Sequence, residues 1–307
     1  MTGVAMAEFL SGEGIRLAYD TAGAGDPPII FVHGWSCDRS YFAPQFEHFA
    51  VSHAVAAMDL RGHGDSSRTD PGPGCYDIDV LAGDVLALAG AAGFSRPVLV
   101  GHSLGALIGL ACAARPGAIR ALLMVEPAPI TNTKAKAFFR DSLAAVRADD
   151  DRSWRTAFIE GMFLPTDAAR REAIIKEMCG VPPGIAAALM RAMGEFDGAG
   201  ALRKARVPVL SIGSAVPANK SADLRSLCPP ITIGQTVGAG HFIQLEVPEQ
   251  VNAMIERFLA INELSPHARD PRSPTSAPPS ANPDSSTYPA CSQHDHPRSR
   301  RPTGRRQ

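Results

Sequence analysis

The stretch that decides how this chain reads is VGHSLGA, residues 100–106. It follows an apolar run, Pro97-Val98-Leu99-Val100, that reads as a short buried strand. Residues 104–114 follow it, apolar and rich in alanine, and read as a helix. Strand, tight turn and helix therefore meet at Ser103. Gly101 and Gly105 flank the serine in the pattern G-x-S-x-G. The glycines have a mechanical reason. A nucleophile on a strand-to-helix elbow sits in a strained backbone conformation, and only small residues two places before and after it avoid collision. The plain alternative is a helix-capping serine.

Outward from the elbow, apolar strands alternate with helical patterns. A strand pair is expected over residues 9–21, with further strands at 29–32, 54–58, 98–100, 122–125, 209–212 and 231–237. A helix is expected over 78–92. Another opens at Pro248, a residue suited to the first helical turn, and carries Val251, Met254, Ile255 and Phe258 on one face. This alternation predicts an α/β fold: a mostly parallel central sheet with helices on both faces. The alternation stops between Ile130 and Arg206. There the spacing predicts four helices, at 134–148, 154–163, 168–179 and 184–194, placed like a lid over one end of the sheet. In such sheets ligands bind outside the carboxyl ends of the strands. Residues 1–129 and 207–264 are thus expected to form the core and 130–206 the helical lid. From Ser265 on the composition changes: nine of the 26 prolines fall there, with almost no aliphatic residues. Residues 265–307 are expected to be a disordered Pro/Ser/Arg-rich tail.

Bulk properties exclude several function classes. The 307 residues are 45% hydrophobic and carry a net charge of −1, so no general pull toward nucleic acid or a membrane surface is expected. No apolar run is long enough for a membrane span, and the first residues lack a secretory pattern. Six scattered cysteines without CxxC spacing point to reduced thiols and a cytoplasmic protein. With no metal cluster and no phosphate loop, no cofactor is expected, and the partner is a small-molecule substrate.

A serine hydroxyl attacks well only when a base takes its proton. Of the nine histidines, His241 is the best candidate. It lies in a glycine-rich loop, Val237-Gly238-Ala239-Gly240-His241-Phe242, just after the last strand. His102, beside the serine, is expected to face away from the elbow. An oxyanion formed by attack needs fixed donors, and backbone N–H groups serve well. The Leu104 amide should supply one. The Trp35 amide, in the turn His33-Gly34-Trp35 after the strand at 29–32, should supply the second.

The motifs HGW (33–35), DLRGHGDS (59–66), GHSLGA (101–106) and GAGHF (238–242) together resemble the α/β-hydrolase superfamily, in its order and at about its spacing. The resemblance implies a Ser-acid-His triad in that chain order. The residues from Asp59 to Ser66 are expected to form a structural turn. Most members place the acid after the strand that here ends at Gly213, but the turn from Ser214 to Lys220 holds no carboxylate. Asp223 falls later, in the next helix. Glu126 directly follows the apolar run Leu122-Leu123-Met124-Val125, where a charge needs a partner, and some members carry the acid after this strand. Glu126 is therefore the expected acid; Asp223 or a dyad without an acid are the alternatives.

Serine at position 103 argues against the branches that use aspartate there. The expected reaction is hydrolysis of an ester, lactone or related acyl bond of a small, largely apolar substrate through an acyl-enzyme. Cofactor-free haloperoxidase or perhydrolase chemistry, C–C bond hydrolysis, and a non-catalytic ligand receptor are the other readings. Trp35, Phe42, Met162 and Phe242 are expected to line the substrate pocket.

Overall fold

A computed structural model of the chain describes residues 3–167 and 169–264; the tail expected from residue 265 lies outside the described residues. The chain opens with an antiparallel pair, β1 (Ala5–Leu10) and β2 (Arg16–Ala22). Then come β3 (Ile29–Val32), a 3-10 turn (Arg39–Phe42), α1 (Ala43–Phe49), β4 (Val55–Met58) and α2 (Ile78–Ala91). The elbow joins β5 (Val98–His102) to α3 (Leu104–Ala113), followed by β6 (Ala121–Val125). Six helices come next: α4 (Thr133–Asp141), α5 (Leu143–Arg147), α6 (Ser153–Glu160), α7 (Arg171–Met178), α8 (Pro183–Glu195) and α9 (Gly198–Lys204). The chain closes with β7 (Val209–Gly213), α10 (Ser221–Leu227), β8 (Thr232–Gln235), α11 (Ile243–Glu246) and α12 (Pro248–Ile261).

The eight strands form one sheet in the order β1-β2-β4-β3-β5-β6-β7-β8, parallel from β4 to β8. The expected α/β class with a mostly parallel sheet is what forms. Every residue of β3, β5, β6 and β7 is buried, as befits strands covered on both faces. The strand period of two then divides the core. Ile30, Val32 and Leu99 join one cluster, with α2, α3 and α8 packed on it. Ile29, Phe31, Val98 and Val100 join the other, against Phe46 of α1 and Val251, Ile255 and Phe258 of α12.

Two differences from the expected elements have local causes. The run at 134–148 breaks at Ser142 into α4 and α5. The sequence also hides α9, because Gly198 and Gly200 disfavour helix. Asp197 offsets that cost by accepting the Gly200 amide at 2.9 Å across the first turn. Among the described residues, no single helix is long and apolar enough to cross a membrane. Cys37, Cys112, Cys179 and Cys228 are buried free thiols, whereas Cys75 is disulfide-bonded, unlike the reduced state expected throughout.

Candidate active site

Register places the candidate groups. β3 pairs with β5 so that Val32 lies opposite Gly101, and β5 with β6 so that His102 lies opposite Val125. One residue beyond the second pair stand Ser103 and Glu126, side by side at the carboxyl edge. β6 and β7 pair Val125 with Ile212, so the loop after Gly213 opens beside Glu126.

Ser103 has φ 52° and ψ −110°, a conformation that L-residues rarely hold, and it is buried. Such a backbone costs on the order of 1–3 kcal/mol and persists only where its surroundings enforce it. Here they do. Its amide donates to the Val125 carbonyl at 3.1 Å, and its carbonyl accepts the amides of Ala106 at 3.1 Å and Ala128 at 3.2 Å. The flanking glycines are obligatory by contact. A Cβ on Gly101 would stand 2.3 Å from the Gly105 carbonyl oxygen, and one on Gly105 would stand 2.1 Å from that of Val32. The elbow expected from the sequence is therefore built, and the same crowding explains both glycines.

His241 enters from the loop between β8 and α11. Its amide donates to the Met162 carbonyl at 2.9 Å, and its own carbonyl is bonded by His102 Nε2 at 3.0 Å. A carbonyl can only accept, so Nε2 of His102 carries the proton, leaving its buried Nδ1 without a partner. His102 thus bonds the backbone of the His241 loop. Burial holds His102 well below the ordinary imidazole range and pushes His241 down to about 4. Both rings are neutral at neutral pH, the state a general base requires.

Glu126, itself at φ 40°, points its carboxylate at the carboxylate-free turn after β7. One oxygen accepts the Ser214 amide in a very short bond, and the other accepts the Ala218 amide at 3.2 Å. Asn219 ties the same two segments together, accepting the Ile130 amide at 2.7 Å and donating to the Pro127 carbonyl at 2.9 Å. Burial raises the Glu126 pKa, and the two amide bonds oppose that rise. The expected hydrogen bond from Glu126 to His241 Nδ1 is not formed in this arrangement: the carboxylate is engaged by the amides. Asp223 is exposed on α10 and does not reach the cavity.

Ser103, His241 and Glu126 line one cavity of about 730 Å³. Its roof comes from the helical insertion, through Phe138, Phe139, Phe158, Met162, Phe163 and Met193. Trp35 and Met162 line it. Phe42 and Phe242 do not. Phe42 packs on Phe31 at 5.2 Å beneath the sheet, and Phe242 lies behind His241 between Tyr41 and Phe163. Phe42 lies a few residues after one motif and Phe242 ends another, but both side chains turn into the core. The amides of Trp35 and Leu104, among the described residues, are taken by no protein acceptor. Asp59 is in the core, taking the amides of Arg39 at 2.9 Å and Asp65 at 2.8 Å, which makes its segment a structural turn. Among the described residues, no group of His, Cys, Asp and Glu side chains is placed to hold a metal ion.

One clamp was not foreseen. Glu246 reaches back over α11 to accept the Gly240 amide at 2.8 Å and the Phe242 amide at 3.1 Å. The only signal in the sequence is a carboxylate five residues after the histidine.

A model of the alpha/beta hydrolase family matches residues 29–254. The 3-oxoadipate enol-lactonase 2 of Acinetobacter baylyi is 28% identical over 265 residues, 81% of this chain and 95% of that protein. Ethanol acetyltransferase 1 of Cyberlindnera fabianii is 25% identical over 171 residues, so the chain spans about half of that relative's length. Among solved structures, a thermophilic esterase from Thermogutta terrifontis superposes with a TM-score of 0.73 at 23% identity, covering 84% of this chain and 98% of that one.

Proposed function

The chain belongs to the alpha/beta hydrolase family, and on that premise we propose that it hydrolyses an ester, lactone or related acyl bond of a small, largely apolar substrate, with Ser103 as nucleophile. The observation that carries this reading is the strained elbow at Ser103 opening into the same cavity as His241 and Glu126. The enol-lactonase named above, acting as its name says, supports the same bond class for this chain.

The chemistry follows from the groups present. Neutral His241 takes the proton from Ser103 Oγ as the oxygen attacks the acyl carbon. The amides of Trp35 and Leu104, without protein acceptors, meet the oxyanion that forms. Collapse breaks the bond to the leaving oxygen, which takes the proton from the imidazolium. Water then repeats the sequence on the acyl-enzyme, freeing the acid and restoring Ser103. Glu126 is the triad acid in this reading. Its carboxylate shares the cavity wall with His241, and the acid role requires the side chain to leave the Ser214 amide for the ring. Residues 130–206 act as the lid over this cavity, and residues 1–129 with 207–264 form the catalytic core.

The substrate is apolar because the wall is. Aromatic and methionine side chains dominate it, and no Lys or Arg is among the described lining residues. The deciding experiment is a panel of p-nitrophenyl esters and lactones assayed with the wild type and Ser103→Ala. Turnover by the wild type alone is expected. No turnover by either, or equal turnover by both, would sink the reading, the first outcome favouring a ligand receptor.

A further inference from the structure

The loop that carries His241 is held by groups outside the candidate triad, and the hold is complete. The Gly240 and Phe242 amides on either side of the histidine both go to the one Glu246 carboxylate, at 2.8 and 3.1 Å. The His241 amide goes to the Met162 carbonyl at 2.9 Å, and the His241 carbonyl takes the proton of His102 Nε2 at 3.0 Å. Three consecutive amides and the central carbonyl are thereby fixed from three directions: α11, the helical insertion and the strand that ends at the nucleophile. The loop has no regular structure of its own, so these contacts bear directly on where the imidazole sits.

We propose that Glu246 and His102 are positioning residues for the general base His241, acting through hydrogen bonds to its backbone, with the His102 ring also packed 4.8 Å from the His241 ring. The proposal rests on His241 being that base. The chemistry of each contact is specific. A carboxylate offers two acceptor oxygens to two N–H groups; glutamine in its place offers one, and turns an N–H₂ donor toward the other amide. Protonated Nε2 of His102 gives one hydrogen bond along the floor of the loop. A glutamine amide nitrogen can occupy about the same place and give the same bond, whereas leucine fills the volume and gives none. Space around the loop is equally restricted. A Cβ on Gly240 would stand 2.7 Å from the Met162 carbonyl oxygen and 3.2 Å from Glu246 Oε1. Met162 lines the cavity, so a substrate touching the roof lies one backbone hydrogen bond from the base.

The test measures kcat and KM for p-nitrophenyl acetate with the full-length chain, together with melting temperature. Glu246→Gln and His102→Leu are each expected to lower kcat by about 10- to 100-fold, the scale of a misplacement near 1 Å, while KM stays within about twofold. His102→Gln should recover most of the lost kcat. A purely structural role would lower the melting temperature and leave kcat of the folded fraction unchanged. That result, or equal losses in His102→Leu and His102→Gln, overturns the proposal. Should Glu246→Gln not fold, Gly240→Ala disturbs the same contacts from the other side and is expected to give the same kcat loss; wild-type kcat in it overturns the proposal. Ser103→Ala serves as the separate control. Full turnover in that variant defeats the serine-hydrolase reading, whereas its inactivity beside unaffected Glu246→Gln and His102→Leu defeats the positioning role alone.

Discussion

Glu126 accepts the backbone amide of Ser214, the first residue after β7. The relationship joins a carboxylate delivered by one strand to the turn of the neighbouring strand, which has no carboxylate of its own. Since β6 and β7 are adjacent and in register, a glutamate one residue past Val125 reaches the start of that turn with its side chain alone. The turn supplies N–H donors in return, at Ser214 and Ala218.

Within the proposed triad, the acid role of Glu126 is the assignment most directly tested by substitution. Glu126→Gln should lower kcat by roughly 10³- to 10⁴-fold, the scale of a lost triad acid. Asp223→Asn, on the exposed face of α10, should leave kcat within about twofold. A nearly unchanged rate in Glu126→Gln would make the centre a Ser103–His241 dyad.

Loss of the attacking oxygen in Ser103→Ala should reduce turnover by about 10⁴-fold or more while the fold persists. Ser103→Gly should be equally inactive yet melt at a higher temperature. Release of the φ 52° strain is worth about 1–3 kcal/mol, against about 0.5–1 kcal/mol of added unfolded-chain entropy. Calorimetry on the two variants decides whether the elbow stores strain.

Gly105 lets α3 approach β3 closely. Gly105→Ala would place a methyl group 2.1 Å from the Val32 carbonyl oxygen, and backbone on both sides leaves no room to yield. A loss of about 3 kcal/mol or more in denaturant unfolding is expected, at the severe end for single substitutions. Gly83→Ala, on α2 with open space around its Cα, should be neutral or slightly stabilising.

Burial pushes His241 down to about 4, from an ordinary value of 6.5. The imidazole therefore stays an unprotonated base as the pH falls, and the acid limb of kcat/KM should lie below 6.5, toward 4. For stability the sign is opposite. Between pH 6.5 and about 4 the unfolded chain binds a proton at this position and the native chain does not, so stability falls as the pH falls through that window. An acid limb centred at 6.5 or above would contradict this account.

The cavity wall should also select by charge. A p-nitrophenyl alkyl ester and its counterpart with a terminal carboxylate differ by one negative charge. With Glu126 in the wall and no cation among the described lining residues, that charge would be buried unpaired. A kcat/KM ratio of about 10² or more in favour of the neutral ester is expected, and equal values would show that the carboxylate stays in solvent.

Much of this molecule is legible in its residues, for physical reasons that vary along the chain. Strands such as Ile29–Val32 and Ala121–Val125 are apolar throughout because helices cover both faces, so no partner need be known to recognise them. The elbow is legible because its glycines answer a steric demand that few other arrangements make. Phe42 and Phe242 show the limit. A residue's place beside a motif fixes its backbone but not which way its ring turns, and both rings turn inward. Helix α9 stays hidden behind two glycines, because an aspartate cap compensates for them locally. Glu246 is invisible in kind: its role is to satisfy backbone groups, and backbone groups have no letters in a sequence.

The pairing of Leu122 with Val209 closes the sheet across the whole helical insertion. Local helices form in microseconds, but a contact between such distant parts of the chain waits on a slow search. Refolding from denaturant should therefore restore ellipticity well before enzymatic rate. Ser103 and Glu126 become neighbours when β5 and β6 pair, yet the Ser214 and Ala218 amides arrive only with β7. Competence is in this sense the last property the chain acquires, and recovered turnover is a stricter measure of complete assembly than any spectroscopic signal of its helices.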